Sequence, residues 1–370
     1  MNVSIAERAF PGGVVGVIKN GRTVFLESFG KATYDSSASP ISIETVFDLA
    51  SVTKPLTAGL LVMKLYEENR IRLSDTLGQF LPQANAGSKG KITIRQLLTH
   101  SSGLVAFRRY HDTLNTTEKV LNAIYQDSLF RNPGDTTIYS DINFVLLGKI
   151  VEKIYGKNLS DCFDEQIARP MKLNRIGFHA GALNQFAGVV IAPVEKDTLW
   201  KMSFERPLVH DPTSAKLSGI SANAGLFGDV KSVLSICTML LDEGIATVYD
   251  SLEKKVKKVK IFEPTTVKRF TTRDTVLGER ALGFDMKSNN EKTSAGRYMT
   301  LKTFGHLGYT GTSFWIDPIK KVAIVLLTNR VYPNSLNNAI RGVRRKVSDA
   351  AMKALEKNPK EQFETTEVHP

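Results

Sequence analysis

One stretch constrains this chain more than any other: Phe47-Asp48-Leu49-Ala50-Ser51-Val52-Thr53-Lys54-Pro55, running into an uncharged segment that lasts to Met63. A helix that is apolar on every face is buried in the middle of a domain. Ser51 and Lys54 are three residues apart, so on a helix they share one face with Cβ atoms roughly 5–6 Å apart. The spacing therefore sets a hydroxyl and an ammonium at the head of a buried helix. Serine there sits in the positive field of the helix N-terminus. A lysine desolvated there can lose up to ~3–5 units from its ordinary pKa and serve as a base near neutrality. The plain alternative is an N-cap serine and a snorkelling lysine. Ser88/Lys91 and Ser251/Lys254 repeat the spacing, but in polar surroundings; only Ser51 heads an apolar helix.

The rest of the chain must supply a fold around that helix. Gly13–Ile18 and Thr23–Phe29 flank Asn20-Gly21, the pattern of a type I′ β-hairpin. Helical spacing of apolar residues recurs over Leu73–Leu81, from Ile92, over Thr117–Gln126, Asn143–Ile154 and Asp161–Ala168, and from Val230 to Asp242. Glu263-Pro264 opens a short helix ending near Phe270. Phe304–Tyr309, Thr312–Ile316 and Val322–Thr328 read as strands, and Leu336–Leu355 as an amphipathic helix over them. The pattern predicts an α/β (α+β) architecture in which an antiparallel sheet is completed by both chain ends. Residues 1–70 and 243–356 would form the sheet region and 71–242 an inserted, mainly helical region. Leu183–Pro212 reads as a loop or small subdomain, and Lys357–Pro370 as a disordered tail.

Bulk properties exclude several classes. With 42% hydrophobic and 23% charged residues the chain is an ordinary globular protein. Its net charge of +12 lacks interleaved aromatics or a nucleic-acid motif, so the lysine-rich run Glu253–Lys260 is expected to be a solvated face and no nucleic-acid partner is expected. Cys162 and Cys237 stand apart from each other and from any His cluster, so neither a metal nor a disulfide framework is expected. No apolar run reaches 18 residues, so no membrane span is expected. Met1–Gly12 lacks the regions of a signal peptide. The expected compartment is cytoplasmic, or periplasmic or secreted if a segment precedes this one.

A nucleophilic serine needs a second proton carrier and two donors for an oxyanion. Tyr139-Ser140-Asp141 follows the turn-forming Asn132-Pro133-Gly134 and precedes a helix. His306-Leu307-Gly308 lies on a candidate strand, followed by Tyr309-Thr310-Gly311-Thr312. Glycine in a strand permits close approach of another backbone. Taken alone, Tyr139 reads equally as a half-buried tyrosine and His306 as a satisfied strand-edge histidine.

The order Ser-x-x-Lys, Tyr-Ser-Asp, His-x-Gly resembles the serine β-lactamase/penicillin-binding-protein superfamily, on the branch of class C β-lactamases, D-aminopeptidases and family VIII carboxylesterases. Leu97-Leu98-Thr99-His100-Ser101-Ser102-Gly103-Leu104 and Asn223-Ala224-Gly225-Leu226-Phe227 add to the likeness. The resemblance implies a β-lactamase/transpeptidase-like fold and a cofactor-free serine hydrolase working through an acyl-enzyme. Ser51 would be the nucleophile and Lys54 the base or its partner. Tyr139 would carry the Ser51 proton to the leaving group or activate the deacylating water. The N–H groups of Ser51 and Tyr309 would form the oxyanion hole, with Gly308 beside it. His306 replaces the usual third-motif lysine and Asp141 the usual asparagine. Losing that ammonium and gaining a carboxylate implies weak β-lactam turnover. An ester, amide or D-amino-acid peptide is then the expected substrate, with a D-Ala-D-Ala carboxypeptidase or a non-catalytic cell-wall-peptide- or partner-binding protein as alternatives. Asn329-Arg330 would be placed to meet a substrate carboxylate, and His100, His210 and Asp211 are read as structural.

Overall fold

Asn20 and Gly21 both take positive φ, 50° and 75°, and turn β1 (Gly12–Lys19) back on β2 (Arg22–Gly30). The computed structural model describes residues 1–85, 87–178, 188–195, 209–251, 253–278, 280–290 and 293–357. Along it follow β3 (Phe47–Asp48), β4 (Ile176–Phe178), β5 (Leu226–Gly228), β6 (Ile245–Asp250), β7 (Lys255–Lys260), β8 (Asp285–Met286), β9 (Phe304–Leu307), β10 (Ser313–Asp317) and β11 (Val322–Thr328). The principal sheet is antiparallel, in the order β2-β1-β11-β10-β9-β8. The first hairpin thus pairs with the last long strand, Gly13 opposite Thr328 and Lys19 opposite Val322. Both ends of the chain complete one sheet, as expected.

β1 and β11 are buried on both faces, which is why each reads as a continuous apolar run. Val14, Ile18, Ala323, Val325 and Leu327 join a core with Val230, Val233 and Leu234 of the helix Val230–Leu241. Val15, Val17, Ile324 and Leu326 point the other way, onto Ile340, Val343 and Met352 of the helix Ile340–Lys357. The alternation is the two-residue pleat, and each buried Val, Leu or Ile contributes about 1.5–3 kcal/mol. Gly16 lies where a Cβ would come within 2.6 Å of Leu234 Cδ1, so glycine lets the helix seat closely. That helix falls inside the range expected to be inserted, yet it packs on the sheet.

Several boundaries differ from the sequence reading. The helix expected over Leu73–Leu81 shrinks to Leu77–Phe80, while Ile94–Leu98 is opened by a reciprocal Thr93/Gln96 capping box. The helix Asp141–Tyr155 starts two residues early and ends at Gly156 in the left-handed conformation. The lysine-rich run is solvated as expected, but it is also a strand: β7 pairs with β6 in a hairpin whose Ala246 and Val248 are buried while Lys255, Lys258 and Lys260 stay in solvent. A small sheet, β3-β5-β4, has no counterpart in the sequence reading. Most of 183–212 and the tail from 358 lie outside the described residues.

Candidate active site

The helix expected at Ser51 runs on without a break but changes its winding. Ala50–Val52 form a 3₁₀ turn, Thr53 and Lys54 are α-helical, Pro55–Gly59 widen to a π turn, and Leu60–Glu67 are α-helical again. Pro55 supplies no N–H and its ring crowds the preceding turn. Thr57 Oγ1 donates back to the Thr53 carbonyl at 2.8 Å, and the turn widens there. Ala50 stands at φ +47°, a left-handed conformation that alanine adopts at a cost of order 1–3 kcal/mol. It is held by the buried Asp48, whose Oδ1 accepts from Ala50 N at 2.8 Å and whose Oδ2 accepts from His210 N at 2.6 Å. The strained residue immediately precedes Ser51, so the short β3–β5 pairing and Asp48 together fix how Ser51 is presented.

Lys54 is fully buried and uses all three of its donors. Nζ donates to Ser51 Oγ at 3.0 Å, to Asp141 Oδ1 at 2.6 Å and to the Asn223 carbonyl at 2.8 Å. The expectation of a lysine pushed down by desolvation is overturned. Burial does act downward, but the Asp141 carboxylate and Tyr139 outweigh it and hold the ammonium above its ordinary pKa. Asp141 therefore lies in ion pair with Lys54, its charge already matched.

Tyr139 lies against Lys54, whose Nζ stands 5.0 Å from the ring centroid, and its hydroxyl feels both Lys54 and Ser51 while about a third of the residue is exposed. Burial around the hydroxyl raises its pKa, opposed by Lys54, so the phenol is protonated at neutral pH. Behind the ring lies His100, 4.5 Å between centroids. His100 Nδ1 accepts from Ser140 N at 3.0 Å and lies 3.1 Å from Asn143 Nδ2, which assigns the proton to Nε2. Ser140 Oγ donates to the Val105 carbonyl, and Asp141 N to that of Ala106. The Thr99–Ala106 segment is thus the support of the Tyr-Ser-Asp loop.

On the far side of Tyr139, His306 lies 5.9 Å away between ring centroids and is buried. Its Nδ1 donates to the Leu307 carbonyl at 2.9 Å. Nε2 sits 3.8 Å from Asp285 Oδ1, too far for a hydrogen bond. Burial pushes the imidazole down to about 4; Asp285 opposes this, while Arg280 and Lys54 add to it. Arg280 is ion-paired to Asp285 and stands 5.5 Å over the Tyr139 ring.

Beyond His306 the chain is stitched to the Ser51 turn. Thr310 Oγ1 donates to the Asp48 carbonyl at 2.7 Å and Thr312 Oγ1 to the Leu49 carbonyl at 2.9 Å. A Cβ on Gly308 would lie 2.0 Å from Thr312 Oγ1 and 2.6 Å from Leu49 O, so only glycine allows this approach. The segment that carries Tyr309 is tied in this way to the residues just before Ser51. The Tyr309 ring is stacked between His210, 5.4 Å between centroids, and Arg330, 4.3 Å away.

Two residues set aside for a substrate carboxylate are used otherwise. Arg330 donates to the carbonyls of Tyr309, Ser335 and Asn337, and Asn329 Nδ2 to those of Ala32 and Pro193. Three residues read as structural stand closer to the chemistry than their sequence suggested. His100 backs Tyr139 and His210 backs Tyr309. Asp211 accepts from Asn223 Nδ2 at 3.0 Å, and Asn223 carries the third acceptor of Lys54. Burial and the neighbouring Asp141 push Asp211 up to about 6. Among the described residues no cluster of His, Cys, Asp and Glu is fit to hold a metal ion, and no helix is long and apolar enough to cross a membrane.

The Beta-lactamase family model matches residues 3–348, and the chain belongs to that family. A putative D-alanyl-D-alanine carboxypeptidase of Escherichia coli (strain K12) is 30% identical over 350 residues, covering 85% of this chain and 77% of the relative. The structure of EstCE1, described as a hydrolase with promiscuous acyltransferase activity, superposes with a TM-score of 0.70 at 25% identity, covering 92% of this chain and 96% of its own. The octameric penicillin-binding protein homologue from Pyrococcus abyssi, at 22% identity and a TM-score of 0.68 over 93% of this chain and 76% of its own, shares the fold. The chain is therefore a β-lactamase/transpeptidase-like serine hydrolase, an enzyme class that acts on small-molecule or peptide substrates through an acyl-enzyme.

Proposed function

We propose that Ser51 is the acylated nucleophile of this hydrolase and that its substrate is a small ester, amide or D-amino-acid peptide. The observation that carries the reading is the buried Lys54 ammonium bonded at once to Ser51 Oγ and Asp141 Oδ1. As an ammonium it cannot accept a proton. The pair can, because Lys54 is able to pass one proton to Asp141 and take the Ser51 proton in its place. The Ser51 oxygen then forms the bond to the substrate carbonyl carbon, and the oxyanion is received by the N–H groups of Ser51 and Tyr309. Tyr139, protonated and within reach of both Ser51 and Lys54, delivers a proton to the leaving group and refills from Lys54. Water on the Tyr139 side reverses the sequence in deacylation. A neutral His306 offers a substrate carboxylate no charge, which favours esters and amides over β-lactams.

Incubation with a fluorophosphonate should add one adduct mass to the peptide containing Ser51, and Ser51→Ala should take up none. Labelling of Ser51→Ala equal to wild type refutes the assignment. Parallel assays on short-chain p-nitrophenyl esters, D-Ala peptides and nitrocefin rank the substrate classes. The relatives named as carboxypeptidases support D-Ala-D-Ala peptides as a second reading, which stable labelling by a fluorescent penicillin would favour.

A further inference from the structure

Arg344, on the C-terminal helix, is a buried cation with an unusual set of partners. It is 7% exposed, its Nε finds no acceptor, and no carboxylate among the described residues forms an ion pair with it. Burial, reinforced by Arg330 and Arg341 and opposed by the more distant Asp285 carboxylate, pushes it down to about 9, so it stays charged at neutral pH. Nη2 donates to the Gly308 carbonyl at 2.5 Å and to the Thr312 carbonyl at 2.8 Å. Neither oxygen needs it. Gly311 N already donates to Gly308 O at 3.1 Å, and Gly308 N to Thr312 O at 2.8 Å. Burying a guanidinium with no acid in ion pair is unfavourable, so bonding two satisfied carbonyls gives folding no reason to keep it.

The chemistry does give one. The Gly308 carbonyl belongs to the same peptide plane as the Tyr309 N–H. A cation on the carbonyl oxygen draws electron density from the amide nitrogen, strengthens that N–H as a donor and fixes the plane. We propose that Arg344 is a positioning residue of the oxyanion hole, gripping and polarising the Gly308–Tyr309 peptide from behind the sheet. It touches no substrate and acts through that one amide. The inference rests on the acyl-enzyme reading above, in which Tyr309 N–H receives the oxyanion.

An alkylboronic acid, which becomes tetrahedral on a serine oxygen, reads the hole directly. Arg344→Met should raise its Ki about tenfold and lower kcat for a p-nitrophenyl ester to a similar degree, since a weakened donor costs less than a deleted one. KM should stay within about twofold, and Tm should hold, because both carbonyls keep their backbone donors. Arg344→Lys should restore part of the boronate affinity; it also decides the matter if the methionine variant does not fold. Wild-type boronate affinity in either folded variant, or Ki and KM rising together, overturns the proposal. Wild type that binds no boronate removes the acyl-enzyme reading itself, and this inference with it.

Discussion

Lys54 and His306 flank the same tyrosine ring and are equally buried, at 0% and 1% exposure, yet they hold opposite charge states. Lys54 has a carboxylate at 2.6 Å and is held protonated. His306 has its nearest carboxylate at 3.8 Å, already paired to Arg280, and is held neutral. Burial alone drives both toward neutrality; the partner within hydrogen-bonding distance decides which of them resists. One side of the ring thus meets a buried cation in an ion pair and the other a buried neutral imidazole; in the proposed mechanism only the first moves a proton.

The sharpest way to break this contrast is to remove the charged member. Lys54→Met should slow acylation by about 10²–10⁴-fold, the usual share of a general base, while KM stays near wild type. An unchanged kcat would take Lys54 out of the relay. Asp141→Asn is subtler, because it leaves the lysine but removes what holds it charged. In the proposed mechanism the accepting site of the wild type is the Asp141 carboxylate; in the variant it would be the Lys54 amine itself. The acid limb of kcat/KM should therefore move to higher pH by on the order of one unit, and a limb that does not move contradicts the proton transfer between them.

His306 gives an effect of another kind, on stability rather than on rate. Its folded pKa, about 4, lies below the unfolded value of about 6.5. The unfolded chain therefore binds the proton first as pH falls. This contribution is complete above pH 6.5 and lost on the way down to pH 4, amounting to about 3 kcal/mol. His306→Asn should flatten that part of the profile, read as the difference in denaturation midpoint between pH 7 and pH 4.5. Equal acid sensitivity in both proteins would mean that His306 is charged in the fold.

Much of the site was legible because its signals are local. Ser-x-x-Lys before an uncharged run, Asn-Gly between two apolar segments and Gly308 among β-formers each state their structure within a few residues. Other features carry no such mark. Strands of two or three residues, such as β3 and β4, have no period to detect. His100 and His210 read as ordinary buried histidines until their rings are found against Tyr139 and Tyr309.

The sequence by itself determined which residues head the buried helix, the sheet closed by both chain ends and the order of the three motifs, since each follows from residue type and spacing. Only the tertiary structure decided the charges. Whether Lys54 is an amine or an ammonium depends on Asp141, 87 residues away. Whether Arg330 meets substrate or backbone depends on where Tyr309 and Ser335 come to rest. Electrostatic energy varies with distance and burial across the fold, and no spacing along the chain encodes either.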